Sequence, residues 1–143
     1  MRHFFFSFLL LASIAGNAVH AAEHGKEGEG EKAGEAASEY LDIKPAIITN
    51  YGGPGPIHFL KVEITLRLSK ETDANLKVAR HMPHIRHELI MLFSRQNEDA
   101  LTTMPGKEQL RQEALAAVQK VVESEENKKI VDDLLFTNFV IQR

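Results

Sequence analysis

His81, His84 and His87 follow one another at steps of three, with Glu88 directly after the last. On a helix that spacing sets neighbouring imidazoles on one side, close enough for two of them to share a metal ion. A tetrahedral zinc site wants four ligands, and from residue 40 onward the chain offers no cysteine and no separate histidine pair to complete the set. His58 is remote in sequence, and Pro83 falls inside the triplet, where it starts a helix rather than continuing one. The expectation is histidines that are solvated or cap a core, with no metal and no cofactor. One chemical option remains to them, sensing pH, because imidazole titrates near neutrality. Catalysis has less to work with. There is no nucleophile elbow, no glycine-rich phosphate loop and no zinc-protease helix motif, so no catalytic residue is assigned and the chain reads as a protein that is not an enzyme.

The elements that must position these residues lie between two distinctive ends. Met1-Arg2-His3 is a short basic start, Phe4 to Ala15 an apolar run, and Val19-His20-Ala21 a site for cleavage before Ala22. This is the pattern of a secretory signal peptide, residues 1–21. The run is shorter than the roughly 20 apolar residues a membrane span requires. With no cysteine, neither a disulfide framework nor a lipid-modified N-terminal cysteine is available, and stability must come from a core. Residues 22–39 carry repeated Glu and Gly and no large apolar side chain, as expected of an acidic flexible linker. Residues 40–143 are enough for one domain with a single core. Acidic and basic residues balance within it, so charge gives no argument for nucleic acid.

Within that domain Leu41 to Thr49 alternates loosely around Pro45, which cannot donate to a ladder, and reads as an edge strand. Asn50-Tyr51-Gly52-Gly53-Pro54-Gly55-Pro56 is turn chemistry. From His58 the alternation is clean: Leu60, Val62, Ile64, Leu66 and Leu68 share one face, and Lys61, Glu63, Thr65 and Arg67 the other. Asp73 is placed to cap a helix carrying Leu76, Ala79 and Met82. Pro83 opens a second helix, with Ile85, Leu89, Leu92 and Phe93 inside and Leu89 to Phe93 so apolar that deep burial is expected. Residues 97–101 read as a connection. Thr103 caps a third helix that buries Leu110, Ala114, Ala117 or Val118, and Val121. Leu134 to Arg143 is a closing strand. The order strand, strand, helices, strand predicts an α+β fold, a small mostly antiparallel sheet packed on helices.

The closing strand carries an interaction argument. Unbroken alternation puts Leu135, Phe139 and Ile141 on one side and Leu134, Phe136 and Val140 on the other, so both faces are apolar. Helices cover one side of a single sheet, and the second apolar face needs another cover. The expectation is self-association through Leu134, Phe136 and Val140, giving a homo-oligomer.

Five phrases then stand in order: Tyr40 to Pro45, His58 to Leu66, Met82 to Ile90, Gly106 to Arg111 and Phe136 to Gln142. In wording and spacing they resemble the flagellar basal body-associated protein FliL family, over essentially Tyr40 to Gln142. The resemblance implies a periplasmic α+β domain similar to the stomatin and prohibitin (SPFH-like) type, associated with the inner membrane at the flagellar basal body. It implies flagellar stator or basal-body proteins as partners, and modulation of the motor in swimming or swarming as the role. It brings no catalytic residue. FliL proteins have a membrane-spanning helix where this chain has the signal-like segment, so membrane association is either indirect or through an uncleaved N-terminal anchor. The alternative is a periplasmic scaffold of the same fold with a non-flagellar envelope partner.

Overall fold

A computed structural model describes residues 39–143. The expected signal peptide and all of the acidic linker but Glu39 lie outside the described residues. Seven elements follow one another: strands β1 (Glu39–Tyr51) and β2 (His58–Leu68), helices α1 (Ala74–Arg80), α2 (Met82–Ser94), α3 (Glu98–Thr102) and α4 (Met104–Glu126), and strand β3 (Val131–Gln142). The strands form one antiparallel sheet in the order β1-β2-β3. This is the α+β arrangement of a small antiparallel sheet on helices.

β2 is central because its alternation is the most regular. Leu60, Val62, Ile64, Leu66 and Leu68 are all buried, and every residue between them is more open. α2 lies over β1, α4 lies over β3, and the two helices pack on each other, all on that one side. Ile85, Leu89 and Phe93 from α2 and Leu110, Ala114, Val118, Val121 and Val122 from α4 complete the core. Each large side chain buried there contributes about 1.5–3 kcal/mol relative to exposure. Of the two candidates at one turn of α4, Val118 is the buried one.

Local chemistry sets the boundaries. Gly52 (φ 94) and Gly53 (φ 72) supply the left-handed backbone of the β1–β2 turn. Thr103 Oγ1 accepts from Gly106 N–H at 3.1 Å and caps α4, while Asn127 closes it at φ 53 with its N–H on Glu123 O. Arg111 ties α4 to β3. Its Nη1 donates to Asp133 Oδ1 at 2.6 Å and to Leu134 O at 3.1 Å, while its Nε and Nη2 hold Glu108. Gln119 Nε2 adds a bond to Val131 O.

Three local expectations are corrected. Asp73 precedes α1 in a left-handed conformation and its side chain makes no cap bond; the helix buries Ala74 and Val78, while Leu76 and Ala79 are exposed. Small and β-branched residues one turn apart suit so close a packing. α2 is not buried all round, since Met91 faces out between its buried neighbours. The stretch 97–101, expected as a connection, instead carries most of α3 (Glu98–Thr102), capped by Asn97 Oδ1 accepting from Ala100 N–H at 2.9 Å.

Candidate functional site

The histidines do not assemble. His81 sits between α1 and α2 with its Nε2 2.7 Å from Glu126 Oε1 at the end of α4. His84 is exposed, 3.9 Å from Glu88 Oε1, and His87 is also exposed. Among the described residues no group of three or more His, Cys, Asp or Glu could hold a metal ion. The arginines are equally dispersed: Arg86 donates to Pro45 O on β1, Arg95 to Met91 O on its own helix, and Arg111 to its α4 and β3 partners.

Among the described residues, nothing packs on the sheet face turned away from the helices. Three register irregularities interrupt the sheet, and two of them decide its apolar end. In β3, Asn138 is opposite Glu63 but Phe136 is opposite Ile64, so Thr137 is an extra residue, a β-bulge. In β1 the register breaks between Ile43 and Ile47, around Pro45, which cannot donate to a ladder.

The β3 bulge corrects the expected face of the closing strand. Leu134 and Phe136 point to the core, but beyond Thr137 the parity reverses, so Phe139 and Ile141 point there too and Val140 points outward. Leu134 is 0% exposed and Val140 47%. Phe136 packs edge-on to Phe93 with ring centroids 6.1 Å apart, and lies 5.3 Å from Phe139. Leu134, Phe136 and Val140 therefore do not share a face. A sheet strand alternates only while its partner keeps count with it, and here the bulge breaks the count.

What Val140 joins on the outer side is Ile48 from β1 and Phe59 from β2. Lys61 pairs with Ile48 on one side and Val140 on the other, and Phe59 is opposite Gln142. These five residues line one shallow depression. Ile48, Phe59 and Val140 are exposed, as is Ile57 just before β2. Sequence reasoning missed this patch, yet two signals were there. Phe59 is an aromatic on the otherwise polar side of a clean alternation, and the doublet Ile47-Ile48 must present one isoleucine outward.

The middle of the same face is polar and satisfies itself. Thr65 Oγ1 donates to Asp42 Oδ1 at 2.7 Å, with Lys44 Nζ 3.0 Å from the other oxygen. Glu63 holds Lys61 at 3.1 Å and Asn138 at 3.2 Å. The bond from Thr65, then Lys44, keeps the Asp42 carboxyl below its usual range; Lys61, then Asn138, does the same for Glu63. Both carboxylates are thus ionised and already partnered near neutrality. The apolar end is the part of the face that gains from being covered.

In class, this is an α+β domain, a three-stranded antiparallel sheet with helices packed on one face. The family described as flagellar basal body-associated protein FliL matches residues 40–142. The chain belongs to the FliL family. It is 32% identical over 83 residues to the flagellar protein FliL of Escherichia coli strain K12, covering 58% of this chain and 53% of the relative. It is 28% identical over 100 residues to the flagellar protein FliL of Aquifex aeolicus strain VF5, covering 70% and 59%. The matches therefore span a little over half the length of these relatives. No helix among the described residues is long and apolar enough to cross a membrane.

Proposed function

We propose that this chain is a non-enzymatic component of the flagellar basal body that works from the periplasm, self-associating and engaging stator or other basal-body proteins to modulate motor output in swimming or swarming. Residues 1–21 act as its export signal or remain as an anchor at the inner membrane, residues 22–39 are the spacer, and residues 40–143 are the working domain, similar in type to the stomatin and prohibitin fold. Family membership supports the flagellar setting. The observation that carries the contact is the apolar end of the open sheet face, Ile48, Phe59 and Val140, which helices on the opposite side leave uncovered.

Covering three half-exposed apolar side chains contributes about 1 kcal/mol each. That favours a weak contact that is strengthened when copies are held together, as tethering or ring closure would do. The self-association site moves accordingly from the expected Leu134, Phe136 and Val140 to Val140 with its two neighbours across the sheet. The test is a strain lacking the gene, complemented with wild type or with Phe59→Asp/Val140→Asp. The variant is expected to be made at normal level and fold, to sediment as a monomer where wild type associates, to lose copurifying stator or basal-body proteins, and to restore swimming poorly. Full motility and unchanged copurification with the folded variant would overturn the role of this face.

A further inference from the structure

His81 occupies the junction of α1 and α2, the position directly after one and directly before the other, and its side chain caps neither helix. Its Nε2 instead reaches 2.7 Å to Glu126 Oε1, at the last residue of α4 and far away in sequence. Both side chains are largely shielded, at 16% and 15% exposure. The charged groups around the pair come from three places. Arg80, on α1, has Nη1 3.7 Å from the same Glu126 oxygen. Lys77, also on α1, acts on Glu126 through space while its Nζ holds Glu71, from the loop before the helix, at 2.9 Å. Lys128, just beyond α4, contacts Glu71 as well.

α1 has little else to hold it. It is seven residues long and buries only Ala74 and Val78. A helix that short does not persist by itself in water, so its contacts decide whether it is formed. Asn75 Nδ2 on α1 also donates to Glu39 Oε1 at 3.0 Å, at the first residue of β1. That bond links α1 to the start of β1.

We propose that the His81–Glu126 contact is a pH-sensitive latch that holds α1 against the end of α4, tight while the imidazole carries its proton and looser once it is lost. The Glu126 carboxylate assists this bond in either state; a proton on the imidazole adds the attraction of a full opposite charge, which partial shielding from water preserves. Histidine is the side chain whose charge ordinarily changes between pH 5 and 8. The other half of the latch stays charged throughout. The bond from His81, foremost, with help from Arg80 and Lys77, holds the Glu126 carboxyl below its usual range. This device is independent of the sheet face and of any partner.

Amide hydrogen exchange on the full chain tests it, read as protection factors so that the intrinsic pH dependence of exchange is removed. Between pH 5.5 and 8, protection of the α1 amides relative to those of central α4 should fall by about fivefold in the wild type. In His81→Gln, whose amide is a donor that does not titrate, the ratio should stay flat. Should that variant fold poorly, Glu126→Gln provides the second arm, and its ratio should be flat as well. A flat profile in the wild type, or an undiminished fall in a folded variant, would overturn the latch.

Discussion

Replacing Leu134, Phe136 and Val140 by alanine, one at a time, separates two geometries of the closing strand. Unbroken alternation places the three on one face and predicts similar costs. The bulge at Thr137 predicts a graded series. Leu134 is fully buried, so Leu134→Ala loses its transfer free energy and leaves a cavity, about 3 kcal/mol within the usual span of 2–5. Phe136 is partly buried and gives up its contacts with Phe93 and Phe139, about 2 kcal/mol. Val140 is outward and half exposed, so Val140→Ala should stay within about 0.5 kcal/mol. For a domain of roughly 100 residues, 1 kcal/mol moves Tm by about 5 °C, so the expected drops are about 15, 10 and under 3 °C. Thermal unfolding by circular dichroism at micromolar concentration reads this series without a contribution from association. A Val140→Ala loss equal to that of Leu134→Ala would refute the bulge, and with it the composition of the outer face.

Two further outcomes follow from local geometry. A Cβ on Gly106 would lie 2.8 Å from the Ala100 Cα and carbonyl oxygen and 2.7 Å from Thr103 Oγ1. Gly106→Ala should therefore destabilise by about 1–3 kcal/mol in urea unfolding, despite alanine's better helix propensity, because rigid backbone must give way; a gain in stability would show that α3 and α4 are not this close. The Glu108 carboxyl is held down to about 2 by hydrogen bonds from Arg111, then Gln112. A depressed carboxylate contributes stability above its ordinary pKa of about 4.3 and loses it as pH falls toward the folded value. Arg111→Met should flatten that part of the pH–stability curve between about pH 4.5 and 2 and lower stability near neutrality. Superimposable slopes for wild type and variant would remove Arg111 as the cause.

The sequence was most readable where one periodicity runs uninterrupted. The alternation of β2 and the helical spacing of Leu110, Ala114, Val118 and Val121 each point to a single buried face, and that face is buried. Readability failed for different reasons elsewhere. A five-residue helix such as α3 is too short to show a period, so Asn97 was the one available sign of it. α1 hid its inward face because Ala74 and Val78 are less conspicuous than Leu76. The bulge in β3 exists only in relation to β2, since an extra residue is extra only against a partner's count. That is why the outer face was assigned to the wrong residues while its most legible member, Phe59, stood in plain view on the polar side of its strand.

The strand order has a consequence for how this domain comes into being. β2 is joined on one side to its hairpin neighbour β1, but on the other to β3, with every helix of the domain between them in sequence. The ladder pairs Phe59 with Gln142 and Leu68 with Val131. Closing that pairing requires a long loop to be brought together before its contacts offer any return, which is the signature of slow folding. Until β3 arrives, Leu60, Val62, Ile64, Leu66 and Leu68 have a hairpin but only part of their cover. A chain emerging N-terminus first therefore remains without its completed core until nearly all of residues 39–143 are present. If residues 1–21 act as the proposed export signal, such late closure leaves time for the chain to cross a membrane while still extended.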